Sequence, residues 1–167
     1  MPAFAEPDVT SEIGINTRGF AAAPGQRVAF RTVDPETDPA LAANSAVSMS
    51  FRFTSQRPYH MFFGVEAEAG FLATPGSNLA GAYGLAGMRV PLARTSALSA
   101  EVALGRRWIR WGLADDDRGT TVVEPRARID FGVGRKLSLG VAIGGTLGER
   151  DVWMAGIYAG IHSLELR

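Results

Sequence analysis

Apolar and polar residues alternate along most of this chain in short segments, and turn-forming residues separate the segments. In one segment Met61, Phe63 and Val65 share one parity, and Glu66 and Glu68 share the other. A period of two places successive side chains on opposite faces of a strand. The pattern predicts an all-β protein with eight strands, at 9–20, 45–55, 59–73, 79–92, 97–111, 120–133, 137–147 and 152–166.

The connections between the predicted strands differ in length. Residues 21–44 form a long irregular stretch that contains prolines and acidic residues, and we predict a loop there. A second polar loop follows strand five and contains Asp115, Asp116 and Asp117. The connections after strands two, four and six are short. Short turns at one end and longer loops at the other are typical of outer-membrane barrels, although two connections at the long-loop end are also short.

The polar face of the predicted strands carries glycines and charges of both signs. The glycines are Gly14, Gly64, Gly70, Gly132, Gly140 and Gly144. Glycine weakens an exposed strand, but it makes room for large side chains in a crowded interior. An eight-stranded barrel is just wide enough for side chains to fill, and buried charges there must pair. We therefore predict an interior ion-pair network of Arg18, Arg52, Glu66, Glu68, Arg89, Glu101, Glu124, Arg126, Arg128 and Asp130.

The alternative arrangement is a soluble, ligand-binding barrel of the lipocalin or avidin sort. Such a barrel buries its apolar face, and its ion pairs lie on a solvated surface. The glycine-rich, mixed-charge face favours the membrane arrangement, in which the apolar face meets lipid. In strand four we expect Tyr83 and Arg89 to face inward, and Ala82, Ala86, Met88 and Val90 outward. The pattern of strand eight does not decide which set of alternating residues faces lipid. It is either Tyr158 and His162 or Trp153, Ile157 and Ile161.

Composition narrows the possible classes of protein. The chain has 167 residues, no net charge and no cysteine, with 46% hydrophobic and 20% charged residues. We expect one domain at 9–167, without disulfides or a general attraction to nucleic acid. No apolar run reaches the length of about 18 residues that a transmembrane helix needs, whereas a spanning strand needs only about 9–11. Composition is therefore compatible with a membrane barrel.

Residues 1–8 precede the first predicted strand. Ala3 and Ala5, followed by Glu6, resemble the small residues before a signal-peptidase site, although no apolar segment comes before them. A chance triplet in an alanine-rich chain is the other explanation. We interpret 1–8 as a residual signal or N-terminal tail and expect an exported protein.

Aromatic and basic residues gather near the ends of the predicted strands. The alternation breaks at 106–111, where we expect a bulge or the membrane boundary. Aromatic rings in such positions lie among lipid headgroups, and arginine binds phosphate bidentately. Plain interfacial anchoring is the simpler explanation. The predicted headgroup or interface residues are Tyr59, Arg106, Arg107, Trp108, Arg110, Trp111 and Trp153.

The sequence offers little support for catalysis or metal binding. His60 and His162 are the only imidazoles, and His162 is adjacent to Ser163, so the two point to opposite faces of a strand. Consecutive carboxylates at 115–117 lack the spacing of a calcium-binding EF-hand. We predict no catalytic residue, no metal site and no cofactor.

The alternating strands, short turns and mixed-charge polar face together resemble the small eight-stranded outer-membrane barrels of the OmpA and OmpX type. The resemblance rests on architecture rather than on a motif. The chain departs from it at the end, where Leu164 and Leu166 stand without a terminal aromatic residue.

The resemblance implies an antiparallel up-and-down transmembrane barrel in the bacterial outer membrane. Its packed polar interior implies a structural, anchoring or surface-interaction role rather than an open pore. The implied partners are outer-membrane lipids and lipopolysaccharide, the barrel-assembly machinery and an external partner of the 21–44 loop, without nucleic acid. A lipid A-modifying enzyme, of the kind known among small outer-membrane barrels, is the third alternative.

Overall fold

The structure is a computed structural model that describes residues 8–21, 43–56, 60–73, 76–110, 119–133, 136–147 and 153–163. Each strand pairs antiparallel with its neighbours along the chain, and β1 also pairs with β8, so the sheet closes into a barrel. The predicted fold, an eight-stranded antiparallel up-and-down barrel, is confirmed. The strands are β1 (Asp8–Ala21), β2 (Ala43–Gln56), β3 (Met61–Leu72), β4 (Asn78–Ala93), β5 (Ser96–Arg110), β6 (Gly119–Val133), β7 (Leu137–Gly145) and β8 (Trp153–His162).

The two ends of the barrel differ in what connects the strands. The connections after β2, β4 and β6 lie at the end where β1 starts and β8 finishes, and we call this the terminal end. The connections after β1, β3, β5 and β7 lie at the opposite end, which we call the loop end. Most of the predicted loop 21–44, the acidic run 115–117, the segment 1–7 and the leucines at 164 and 166 lie outside the described residues.

Burial alternates along the strands, and most of the large apolar side chains lie on the exposed face. Val65 is 60% exposed and Phe71 is 76% exposed, whereas Glu66 and Glu68 between them are buried. A soluble barrel would bury these apolar side chains, so the soluble alternative is rejected. The facing of β4 is as expected, with Tyr83 inside. The open parity of β8 is settled, because Tyr158 and His162 point inward and Trp153, Ile157 and Ile161 point outward.

The strand pairing is irregular in a place that the sequence did not indicate. The register between β4 and β5 shifts between Pro91 and Ala93, next to a turn, where proline cannot donate to the ladder. The bulge expected at 106–111 is absent from the described part, because Arg106 to Arg110 pair with β4 in unbroken register. The alternation looks broken there only because two adjacent arginines point to opposite faces of an ordinary strand.

Candidate functional site

The inside of the barrel is filled with charged side chains in nearly balanced numbers. Among the described residues, Arg89 is half-buried at the terminal end. Five arginines and six carboxylates are buried: Arg18, Arg52, Arg107, Arg126 and Arg128 with Glu12, Glu66, Glu68, Glu101, Glu124 and Asp130. All ten residues predicted for the interior network therefore lie on the inward face of their strands. Two further charged residues belong to the network: Glu12, which the sequence pattern places on the polar face of strand one but which is not in the predicted set, and Arg107, which is predicted at the interface.

Glu124 is the centre of the network in the half of the barrel near the loop end. Its Oε2 accepts from Arg18 Nη1 and from Arg107 Nη2, both at 2.6 Å, and its Oε1 accepts from Arg126 Nε at 2.9 Å. Arg18 Nε also donates to Glu68 Oε1 at 2.9 Å. One carboxylate thus joins arginines from three strands, β1, β5 and β6.

Arg126 and Arg52 carry the network toward the terminal end. Arg126 Nη1 donates to Glu66 Oε2 at 2.7 Å, and Arg52 Nη2 donates to Glu101 Oε2 at 2.7 Å. Arg52 Nε also lies 2.8 Å from Glu12 Oε2. Glu12 in turn pairs with Arg128, which also pairs with Asp130, and Asp130 Oδ2 lies 3.8 Å from Arg89 Nη2. Opposite charges therefore alternate along the whole length of the barrel.

Two tyrosines support the arginine planes. The guanidinium carbon of Arg126 lies 5.7 Å from the ring centre of Tyr83, and that of Arg128 lies 4.7 Å from the ring centre of Tyr158. These distances are within the range for cation–π attraction. A methyl group on Gly14 would collide with the ring of Tyr158, so the glycine makes room for it. Gly14 thus makes room for the packing of an interior tyrosine, as expected for a glycine on the polar face.

The packed network obstructs the lumen. The side chains of Arg18, Glu68, Glu124 and Arg126 are 0% exposed, so no water-sized path runs beside them. A small polar recess is present at the terminal end, and Arg52, Glu101, Arg128 and other charged residues of the network contribute to its lining. In its described residues the barrel is therefore a filled cylinder with a shallow polar entrance.

A histidine cluster at the terminal end was missed by the sequence reasoning. His162 Nδ1 lies 2.7 Å from Asp8 Oδ2, and His162 Nε2 lies 3.0 Å from Ser138 Oγ. Ser163 accepts a hydrogen bond from the Val9 amide instead of contacting the imidazole. The cluster joins β7, β8 and β1 across the closure of the barrel. Strand register brings these residues together, and chain adjacency had pointed only to Ser163.

The histidine cluster has the order of groups found in serine hydrolases, carboxylate to imidazole to hydroxyl. Ser138 and His162 are each only 2% exposed, so a substrate carbonyl has no approach to the hydroxyl.

His60, the other imidazole, lies exposed at a turn with a positive φ of 63°. Among the described residues, no group of three or more His, Asp or Glu side chains is placed to hold a metal ion.

The predicted interface residues separate into an outward set and an inward exception. Arg106, Trp108, Arg110 and Trp153 lie on the outward face at the loop end. The structure corrects the prediction for Arg107, because its side chain is 2% exposed and donates a hydrogen bond to Glu124 inside the barrel. Tyr59 and Trp111 lie outside the described residues.

Both outward tryptophans cover a glycine on the neighbouring strand. Trp108 pairs with Gly119, and Trp153 pairs with Gly19. A methyl group on either glycine would meet the indole nitrogen of its partner. The rings therefore lie against the sheet at the loop end, in the position that interfacial aromatics occupy in membrane barrels.

No protein-family model matches the chain, and no curated protein matches it. Solved structures do match. Neisserial surface protein A has a TM-score of 0.60 at 12% identity, covering 93% of this chain and 95% of that one. Ail, the attachment invasion locus protein of Yersinia pestis, has a TM-score of 0.56 at 10% identity, covering 94% and 97%. A designed transmembrane β-barrel has a TM-score of 0.59 at 10% identity, covering 96% and 99%.

At these identities the likeness concerns the fold. The matching structures are small eight-stranded membrane barrels, in agreement with the resemblance inferred from the strand pattern. The fold of these structures, the outward apolar face of this chain and its buried charges all indicate the same kind of protein. The chain is therefore a transmembrane β-barrel of the small eight-stranded type.

Proposed function

We propose that this protein is an integral protein of the bacterial outer membrane that acts as an anchor and presents its loops to the surroundings. The observation that carries the proposal is the inverted arrangement of the sheet, with large apolar side chains outside and paired charges inside. The strands contain between 9 and 16 residues. A membrane-spanning strand needs about 9–11 residues, so most of these strands can cross a bilayer.

The filled interior supports anchoring over transport. Arginines and carboxylates from opposite sides of the barrel meet in the lumen, and the central ones are fully buried. Opening a path would require several ion pairs to separate at once in a medium of low dielectric constant. We therefore infer a structural interior rather than a permanent pore.

The loop end is the part that would meet an external partner. Outer-membrane barrels usually place their longer loops outside and their short turns in the periplasm. The 21–44 loop would then face the surroundings, lipopolysaccharide would surround the outer rim, and the barrel-assembly machinery would insert the chain. Ail is by its name an attachment protein, and one of its structures contains a heparin analogue. A surface-interaction role of this general kind is part of the proposal.

A lipid A-modifying enzyme is the second candidate. The observation that favours it is the Asp8, His162 and Ser138 cluster. The burial of Ser138 and its place at the terminal end, away from the outer leaflet in the proposed orientation, favour a structural role for the cluster. Labelling with a fluorophosphonate decides between the two roles, because the reagent modifies an activated serine.

The membrane proposal is tested with the full chain produced in a Gram-negative host. We expect it in the outer-membrane fraction, soluble only with detergent, and with a gel mobility that changes on heating. In planar bilayers we expect no stable conductance. A monodisperse monomer in plain buffer would contradict the membrane assignment, and a permanently open channel would contradict the filled interior.

A further inference from the structure

We infer that the main-chain carbonyl of Gly145, in the seam between β6 and β7, accepts a hydrogen bond from a hydroxyl group on the acyl chain of a surrounding lipid. The inference rests on the proposed function, because it requires the outward face of the barrel to lie in a bilayer. It adds a lipid-binding site, and the chemistry of the lipid that fits it, to that proposal.

Strands β6 and β7 keep one register across a gap in their pairing. The pairs that border the gap are Arg126 with Gly144 and Val123 with Leu147. Because both pairs fit the same register, Pro125 lies opposite Gly145 within the gap. Proline has no N–H group, so it cannot donate to the ladder between the two strands. The gap is therefore a consequence of the residue type at position 125.

The main-chain groups of Pro125 and Gly145 face each other across the seam. The Leu147 amide donates to the Val123 carbonyl at 2.8 Å, so these two residues direct their main-chain groups across the seam. Residues two apart on a strand face the same neighbouring strand, which gives Pro125 and Gly145 the same direction. In agreement, a methyl group on Gly144 would lie only 2.7 Å from the Pro125 carbonyl oxygen. The Gly145 carbonyl thus points at a residue that has no hydrogen to donate.

The seam at Gly145 lies in a depression of the apolar outward surface. Gly145 has no side chain and is half-buried. Its outward neighbours on β7, Ile143 and Leu147, are 62% and 64% exposed. Its partner on β8, Trp153, would meet a methyl group on Gly19 of β1, so the indole ring leans away from β7. A lipid chain can therefore approach the carbonyl between large apolar side chains.

A donor for this carbonyl has to be present at its depth in the bilayer. Trp153 marks the border between hydrocarbon and headgroups, and Gly145 pairs directly with it. The carbonyl therefore lies where the acyl chains begin. Water is scarce among acyl chains, and an unsatisfied main-chain group there costs free energy. A saturated chain offers only C–H groups, whereas a hydroxyl near the start of the chain supplies the donor that proline lacks.

NMR of carbonyl carbons in the full chain, folded in lipid vesicles, reads this hydrogen bond directly. Glycine is labelled with ¹³C at the carbonyl and threonine with ¹⁵N, which selects the Gly–Thr peptide bonds. The chain contains these bonds at Gly119–Thr120 and Gly145–Thr146. Dimyristoyl phosphatidylcholine is compared with phosphatidylcholine that carries β-hydroxymyristoyl chains. In the hydroxylated lipid we expect the Gly145 resonance to move downfield, as carbonyl resonances do on hydrogen bonding. The Gly119 carbonyl already accepts from Arg106 at 3.2 Å and should not move.

The substitution Pro125→Ala restores the missing N–H group. The Gly145 carbonyl then receives its ladder bond, so its resonance should lie downfield in both lipids. The matched control is Pro91→Ala, which removes a proline near the terminal end of β4 and should respond to the lipid as the parent does.

A Gly145 resonance at the same position in both lipids in the parent would overturn the inference, because the carbonyl would then be unbonded or bonded to water. A lipid response that persists in Pro125→Ala would overturn it too, as would an equal shift of the Gly119 resonance. Failure of the parent to fold in either kind of vesicle would contradict the membrane proposal itself.

Discussion

The inward and outward faces of this sheet are built from the same strands but by opposite rules. On β3, Val65 is 60% exposed and Glu66, the next residue, is 2% exposed. In water this arrangement would expose apolar surface and bury charge, and both changes cost free energy. In a bilayer the outward side chains meet lipid, and the inward charges are stabilised by one another. The two faces therefore depend on different partners, which are the lipid outside and the ion-pair network inside.

The largest effect is expected from breaking the centre of the inward network. Glu124→Gln leaves Arg18, Arg107 and Arg126 with one fewer negative charge among them. Removing one partner from a buried ion pair costs about 3–5 kcal/mol. Urea unfolding in lipid vesicles, followed by tryptophan fluorescence, measures the change in the free energy of unfolding.

The control for the Glu124 substitution is Arg89→Gln at the terminal end. Arg89 is half-buried and lies 3.8 Å from its partner Asp130, so this variant should lose about 1 kcal/mol or less. Equal losses in the two variants would show that position within the network has no influence.

The free-energy cost of a charge on the outward face should depend on its depth in the bilayer. Val65→Arg places a guanidinium in the middle of β3, where the cost is about 2–4 kcal/mol, whereas Val133→Arg places it at the end of β6, where the cost is about 0–1 kcal/mol. Folding into vesicles, read by heat-modifiable gel mobility, measures both. If Val65→Arg inserts as well as the parent, the outward face does not meet hydrocarbon.

Substitutions at two glycines compare the inward and outward faces without introducing a charge. A methyl group on Gly14 would collide with Tyr158 inside the barrel, whereas on the outward Gly84 its nearest neighbour would be the Leu104 carbonyl at 3.7 Å. Gly14→Ala should destabilise by about 1–3 kcal/mol through overpacking. Gly84→Ala should be neutral or stabilise by up to about 1 kcal/mol. Urea unfolding compares them, and equal effects would contradict the difference in packing between the faces.

The smallest effect is expected at the histidine cluster. Ser138→Ala removes the hydroxyl that contacts His162 Nε2, and the loss should be about 1 kcal/mol. The parent should also resist fluorophosphonate labelling, which mass spectrometry of the intact chain detects. A labelled Ser138 would instead support the enzyme candidate.

Much of the barrel was predictable because alternation is a local property of the chain. The boundaries of β4 and β6 were predicted to within one residue, and the inward charges from Arg18 to Asp130 were assigned from parity alone. Arg107 shows the limit of this reasoning. Arginine and tryptophan occur at both parities in the run 106–111, so the sequence does not show which of these residues face inward. Arg107 was therefore grouped with its outward neighbours.

The sequence by itself determined the eight strands, the two kinds of face and the charges that share the interior. Only the tertiary structure decided the parity of β8, the contacts around Glu124 and the meeting of Asp8, Ser138 and His162. The physical reason is the range of the interactions. Alternation is set by neighbouring residues, whereas ion pairs and hydrogen bonds between distant strands depend on barrel closure and register, which many weak contacts fix together.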